Sequence, residues 1–140
     1  MRRQRYHGLR NAFLAASALA AGAWWRHRRP FRVAVEGTSM SPTLEHGDFL
    51  IAVRPKALHA GTLVVLVHPE RPGFEMVKRL SAGPGAVVQG SVLGPDEWWV
   101  SGDSASASTD SRSFGPVGAS AIRGEVLARY WPPSRAAWFG

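Results

Sequence analysis

The sequence contains no cysteine, which removes disulfides, thiolate catalysis and zinc–thiolate sites together. Its five histidines (His7, His27, His46, His59, His68) stand apart, without the spacing of a metal site, so neither a metal nor another cofactor is expected. Acid is missing from the first 32 residues, where eight arginines (2, 3, 5, 10, 26, 28, 29, 32) stand unopposed. Of the 17 lysines and arginines, nine are then left to face all ten acids. The part from Val33 on is close to neutral, which argues against a folded nucleic-acid-binding surface. The basic arm could still touch phosphates, either of nucleic acid or of lipid; a membrane lipid is the expected partner.

Long hydrophobic runs are also scarce. The longest uncharged, alanine-rich and helix-favouring stretch, residues 12–25, has about 14 residues. At ~1.5 Å per residue it covers ~21 Å of a ~30 Å hydrocarbon core, so spanning requires snorkelling arginines, interfacial tryptophans or local thinning. A signal-anchor helix is the preferred reading, with a cleavable signal peptide as the alternative because Ala18-Leu19-Ala20 has the small-x-small form of a cleavage site. Arginines flank both ends, so charge alone does not orient it. The expected division is a basic N-terminus with a hydrophobic anchor helix over residues 1–29, and a β domain over residues 30–140. A chain of 140 residues can enclose one modest core.

After Pro30 the pattern turns to period two: Phe31, Val33 and Val35 alternate with Arg32, Ala34 and Glu36, as in a half-buried strand. Further apolar runs cover residues 49–53, 62–67, 75–80, 86–88, 98–100 and 122–131. Turn signals divide them, among them His46-Gly47-Asp48, Arg71-Pro72-Gly73 and Gly83-Pro84-Gly85. The fold class this implies is all-β, compact and mostly antiparallel, preceded by one helix.

Three stretches carry possible chemistry. In Gly37-Thr38-Ser39-Met40-Ser41-Pro42-Thr43-Leu44 a strand stops, and small polar residues are held between a glycine free to take positive φ and a proline that restricts its neighbour. The turn should be stiff, with Ser39 as a candidate nucleophile; an ordinary Ser/Thr-rich turn is the competing reading. On the run at 75–80, Phe74, Met76, Lys78 and Leu80 share one face. A lysine there is either desolvated, with its pKa lowered so that the neutral amine can serve as a base, or an edge residue with its head in water. No carboxylate of the adjacent strand is placed to raise that pKa again, and Arg79, on the other face, reads as a solvated charge. The third stretch, residues 101–118, is long for a loop in so small a domain. Asp103, Asp110 and Arg112 can tie it to itself by Asx turns and an ion pair, with Phe114 as an apolar anchor, so an ordered loop is expected against the disorder suggested by Ser104-Ala105-Ser106-Ala107-Ser108.

Ser39-Met40-Ser41-Pro42-Thr43-Leu44, Met76-Val77-Lys78-Arg79, and Gly102-Asp103 followed by Ser108-Thr109-Asp110-Ser111-Arg112 together resemble the type I signal peptidases, membrane-anchored serine proteases with a Ser-Lys dyad. The resemblance covers residues 9–131. It implies Ser39 as nucleophile, Lys78 as general base, Ser108 as the hydroxyl that orients the amine, and Asp110 with Arg112 as a supporting ion pair. Met40 belongs to the first motif, and Gly47-Asp48 and Gly102-Asp103 match structural turns. Three departures stand out. The large second β domain of many relatives is missing between Lys78 and Gly102, Ser104 replaces a frequent asparagine, and Gly37 stands where some relatives carry a serine that helps the oxyanion hole. Arg129-Tyr130-Trp131-Pro132 is similar to the ending of short relatives described as nickel superoxide dismutase maturation proteases.

The expected function is therefore a single-pass, membrane-anchored serine endopeptidase with an extracytoplasmic catalytic domain. It would remove signal or pro-segments after small residues, with the precursor bound as an extended strand. A maturation protease for one dedicated precursor is the alternative within that chemistry, and a non-catalytic, membrane-tethered β module the alternative outside it. A Ser-His-Asp site from Ser39, His46 and Asp48 is disfavoured because the last glycine of a nucleophile elbow and its α/β surroundings are missing.

Overall fold

The computed structural model describes residues 3–140, with side chains from Arg10 onward. Arg2 of the basic arm, and the side chains of Arg3, Arg5 and His7, lie outside the described residues. The chain divides into two compact units at Pro30/Phe31. The first is a helix, α1 (Arg3–Arg28), which runs through both arginine clusters instead of stopping at the apolar stretch. Arginine is a good helix former, so nothing in the flanks ends it early. Among the described residues no helix is long and apolar enough to cross a membrane, because Arg10 and Arg26 confine the uncharged part to the residues between them.

The second unit is the all-β domain that the alternation foretold. Its strands are β1 (Phe31–Ala34), β2 (Phe49–Val53), β3 (Leu63–Val67), β4 (Glu75–Ala82), β5 (Val87–Val88), β6 (Ser91–Val92), β7 (Glu97–Ser101), β8 (Val117–Gly118), β9 (Ile122–Trp131) and β10 (Ala137–Trp138). The main sheet runs β1-β2-β9-β3-β4-β7-β8, with β10 added to β9; β5 and β6 form a separate hairpin. All pairings among the described residues are antiparallel.

The centre of the sheet is β3, whose Leu63-Val64-Val65-Leu66 is buried throughout. Such a run arises when both faces of a strand are covered. Leu63 and Val65 join Val35, Met40, Leu44, Leu50, Ala52 and Val126 in one core cluster. Val64 and Leu66 join Leu80, Val100, Val117 and Ile122 in another. Val35, Met40 and Leu44 of the stretch before β2 thus belong to the cluster on one face of β3, and Phe114 of the stretch before β8 packs against the cluster on the other.

Candidate active site

The loop of residues 36–47 is closed at its base where the Val35 N–H donates to the Asp48 carbonyl at 2.9 Å and the Gly47 N–H to the Val35 carbonyl at 2.9 Å. Gly37 leaves β1 at φ 81°, a value that L side chains rarely adopt, and the Ser41–Pro42 bond is cis. Ser41 N–H then donates to Thr38 O at 3.0 Å and Leu44 N–H to Met40 O at 2.9 Å. These turns drive Met40 and Leu44 into the core and leave Ser39, between them and Gly37, half-buried on the wall of a cleft.

Lys78 lies on β4 and is 3% exposed. Its Nζ donates to Ser108 Oγ at 3.0 Å. Burial lowers its pKa; Asp110 opposes that shift through its charge, while Arg112 adds to it, and the net direction is down. The carboxylate that acts on the amine is not one of an adjacent strand, which the strand pattern had excluded. Asp110 arrives from the long loop rather than from a neighbouring strand, where period-two reasoning could not place it.

That loop is ordered, with a 3-10 turn at Ala105–Ala107 and one turn of helix, α2 (Ser111–Phe114), capped by Asp110. Asp110 is fully buried. Its Oδ2 accepts from the Gly102 N–H at 3.0 Å and from Arg112 Nη2 at 2.8 Å; its Oδ1 accepts from the Arg112 N–H at 3.1 Å and from Nε at 2.9 Å. Burial by itself would raise this carboxyl. The hydrogen bonds from Arg112, Gly102 and the Ser108 hydroxyl outweigh it and hold Asp110 well below the usual carboxylate range. A continuous path results, in which Arg112 fixes Asp110, Asp110 accepts from Ser108, and Ser108 accepts from Lys78.

The same loop reaches the candidate nucleophile. The Ser104 N–H donates to Ser39 O at 3.0 Å. A Cβ on Gly102 would lie 2.5 Å from both Ser39 O and Ser108 Cβ, so only glycine allows this approach. Asp103 pairs with Arg79 through Nε at 2.8 Å and Nη2 at 2.6 Å. Arg79 is therefore not the solvated charge expected; its partner lies 24 positions away, where a strand-face argument does not look. The Arg79 hydrogen bond, against the cost of burial and with help from Thr43, keeps the Asp103 carboxyl low.

Ser39 and Lys78 thus line one cleft of about 620 Å³, walled by Val33, Val35 and Gly37 on one side and by Glu75, Met76 and Val77 on the other. Ser108 and Asp110 meet Lys78 from below, Arg112 meets Asp110, Gly102 and Asp103 join the loop to its neighbours, and Met40 is structural. His46 and Asp48 do not assemble with Ser39 into a triad. His46 Nδ1 accepts the Gly37 N–H at 3.3 Å, and Asp48 is engaged by Arg129 and Arg135. Sequence reasoning missed the linking roles of Arg79, Thr43 and Arg129; the Arg129 run carried only a resemblance signal.

An antiparallel β domain with a buried lysine and a serine on one cleft is an arrangement suited to peptide-bond hydrolysis, and comparison with known proteins agrees. The family model described as signal peptidase, peptidase S26, matches residues 8–91 and 86–131. The chain belongs to that family of peptidases. It is 32% identical over 114 residues to mitochondrial inner membrane protease subunit 1 of Xenopus tropicalis, covering 71% of this chain and 68% of the relative. With the mitochondrial ATP-independent inner membrane protease subunit 1a of Arabidopsis thaliana it shares 36% over 116 residues (71% and 69%). The subunit 1 protein of Schizosaccharomyces pombe matches over 134 residues at 28%, covering 85% of each chain.

Proposed function

We propose that the protein is a membrane-associated serine endopeptidase that removes N-terminal signal or pro-segments from precursor proteins, with Ser39 as nucleophile and Lys78 as general base. The observation that carries this reading is the buried Lys78 amine, fixed by Ser108 in the cleft that Ser39 also lines. Neutral Lys78 takes the Ser39 hydroxyl proton as Oγ attacks the scissile carbonyl. The tetrahedral oxyanion is met by the Ser39 backbone N–H. Protonated Lys78 then gives its proton to the departing amine, leaving an acyl-enzyme. Neutral again, it activates the water that hydrolyses the ester.

The precursor enters as an extended strand. β1 is the edge of the main sheet, and β7 pairs with β4 only from Arg79 onward, so the Glu75-to-Lys78 edge can accept a peptide by strand addition. Small residues at the first and third positions before the cut are part of this reading. Attachment to the membrane is assigned to α1, where Phe13, Leu14, Leu19, Trp24 and Trp25 are exposed between the arginine clusters. A single pass through the bilayer, with the catalytic domain extracytoplasmic, requires the end arginines to reach back to the headgroups. The relatives named inner membrane proteases support a membrane site of action.

The test is incubation of the purified protein with a preprotein, beside Ser39→Ala, Lys78→Ala and His46→Ala. The first two variants should keep the wild-type circular dichroism yet lose at least about 10³-fold in cleavage; His46→Ala should stay near wild type. Full activity in Lys78→Ala would sink the dyad. A panel of precursors separates a general signal peptidase from a maturation protease for one dedicated precursor, the nickel superoxide dismutase type being one candidate.

A further inference from the structure

Behind the Ser39 loop lies a buried cation that the proposed chemistry leaves unused, and the geometry points to it, Arg129, as a positioning residue for Ser39. This rests on the assignment of Ser39 as the nucleophile. Arg129 stands on β9 and is 9% exposed. Its Nη1 donates to the Thr43 carbonyl at 2.7 Å and to Asp48 Oδ2 at 3.0 Å, and its Nε donates to the Arg135 carbonyl. Asp48, 1% exposed, also accepts from Arg135 Nη1 at 3.3 Å and from the Glu45 N–H at 2.9 Å. One guanidinium therefore ties the Ser39 loop, at Thr43, and its stem, at Asp48, to β9, a strand paired with β2, β3 and β10.

Thr43 is where this tie meets a second one. Its hydroxyl is bonded to Asp103, which Arg79 clamps from β4 next to Lys78. Thr43 is thus held on its carbonyl side from β9 and on its hydroxyl side from the strand that carries the base. With the loop closed at Val35 and Asp48, Arg129 holds it again at Thr43, on the far side of Ser39 from Gly37, and so opposes displacement of the loop about that stem. A buried ion pair is weak evidence for stability, since apolar groups of similar volume often replace it without loss. Fixing one arrangement of a loop is a use that apolar groups would not serve. A displacement of about 1 Å at a reacting atom costs on the order of 10²-fold in rate.

The experiment uses the full chain with Arg129→Lys, and with the double variant Arg129→Met/Asp48→Asn, which leaves no unpaired buried charge. Cleavage of one peptide is followed as kcat and KM separately, and as a pH profile, with Ser39→Ala alongside. Both variants should fold and melt cooperatively. The expected result is a fall in kcat of about 10- to 100-fold, smaller for Arg129→Lys, with KM within about twofold and the acidic limb unmoved because Lys78, Ser108 and Asp110 are untouched. Folded variants with wild-type kcat, or a change confined to KM, would overturn the proposal. Failure of both variants to fold would overturn it too, by making Arg129 a residue of stability alone. Cleavage that survives in Ser39→Ala would remove the nucleophile assignment instead, so the two failures are told apart.

Discussion

For Lys78 the structure decides between two readings that the sequence left open, a desolvated amine and an edge lysine with its head in water. A cation on an apolar strand face is visible from period two alone, and the structure buries it. What the strand pattern could not reveal is the pair of opposed charges below it, because Asp110 and Arg112 come from a loop whose path local propensity does not set. They give a test with opposite signs. The neutral amine is the active form, so the acidic limb of kcat/KM tracks the Lys78 pKa. Asp110, held well below the carboxylate range by its hydrogen bonds, stays ionised throughout pH 6–11 and adds no limb of its own. Burial places the wild-type limb below ~10.4, the value of a solvated lysine. Asp110→Asn removes the charge that favours the ammonium and should move the limb further down; it should also lower kcat, as Ser108 loses the partner that aims it. Arg112→Ala removes the charge that disfavours the ammonium and should move the limb up. A wild-type limb at or above ~10.4, or both variants shifting the same way, would show that the amine does not feel these charges.

At the scale of elements, the long strands were legible and, of the two-residue ones, only β5, through the run at 86–88. β2, β3, β4 and β9 announce themselves as apolar runs between turn signals; β6, β8 and β10 are too short to hold a period and exist because a neighbour offers an edge. The stretch from Ser104 to Ser108 has the composition of a disordered segment, although the loop around it was expected to be ordered by its Asx turns, ion pair and Phe114. It is ordered through bonds to distant groups, from the Ser104 N–H to Ser39 O and from Arg112 Nη2 to Ala105 O at 2.9 Å. Gly102 is the point at which this loop touches both Ser39 and Ser108, and Gly102→Ala tests the contact. The added methyl would overlap Ser39 O and Ser108 Cβ at 2.5 Å, so both must shift. Overpacking of this kind costs about 1–3 kcal/mol, which a domain of ordinary stability survives. Cleavage should fall on the order of 10²-fold or more, since one methyl displaces the nucleophile's backbone and the hydroxyl that orients the base. A melt combined with steady-state kinetics checks it; unchanged kcat in Gly102→Ala would mean that the loop and the Ser39 turn move independently.

For the whole molecule, the sequence already separates a basic arm from a near-neutral remainder, and the structure cuts the chain at almost the same place, between Pro30 and Phe31. Among the described residues, both core clusters are built from positions at or beyond Phe31. Among the described residues the β domain thus carries its own core, and a protein lacking residues 1–29 should melt within a few degrees of the full chain and keep its kcat on a short soluble peptide. It should lose membrane binding. The full chain should co-sediment with vesicles containing anionic lipid through the arginines and the exposed Phe13, Leu14, Leu19, Trp24 and Trp25. The two contributions separate with salt. Charge attraction is screened within about 8–10 Å at physiological ionic strength, whereas apolar insertion is not, so binding that survives about 1 M salt reports an inserted helix and binding that vanishes reports a surface-bound one. Full retention of vesicle binding by the truncated protein would move the attachment from α1 to the β domain, and a full chain left wholly in the supernatant at low salt would remove the membrane from its function.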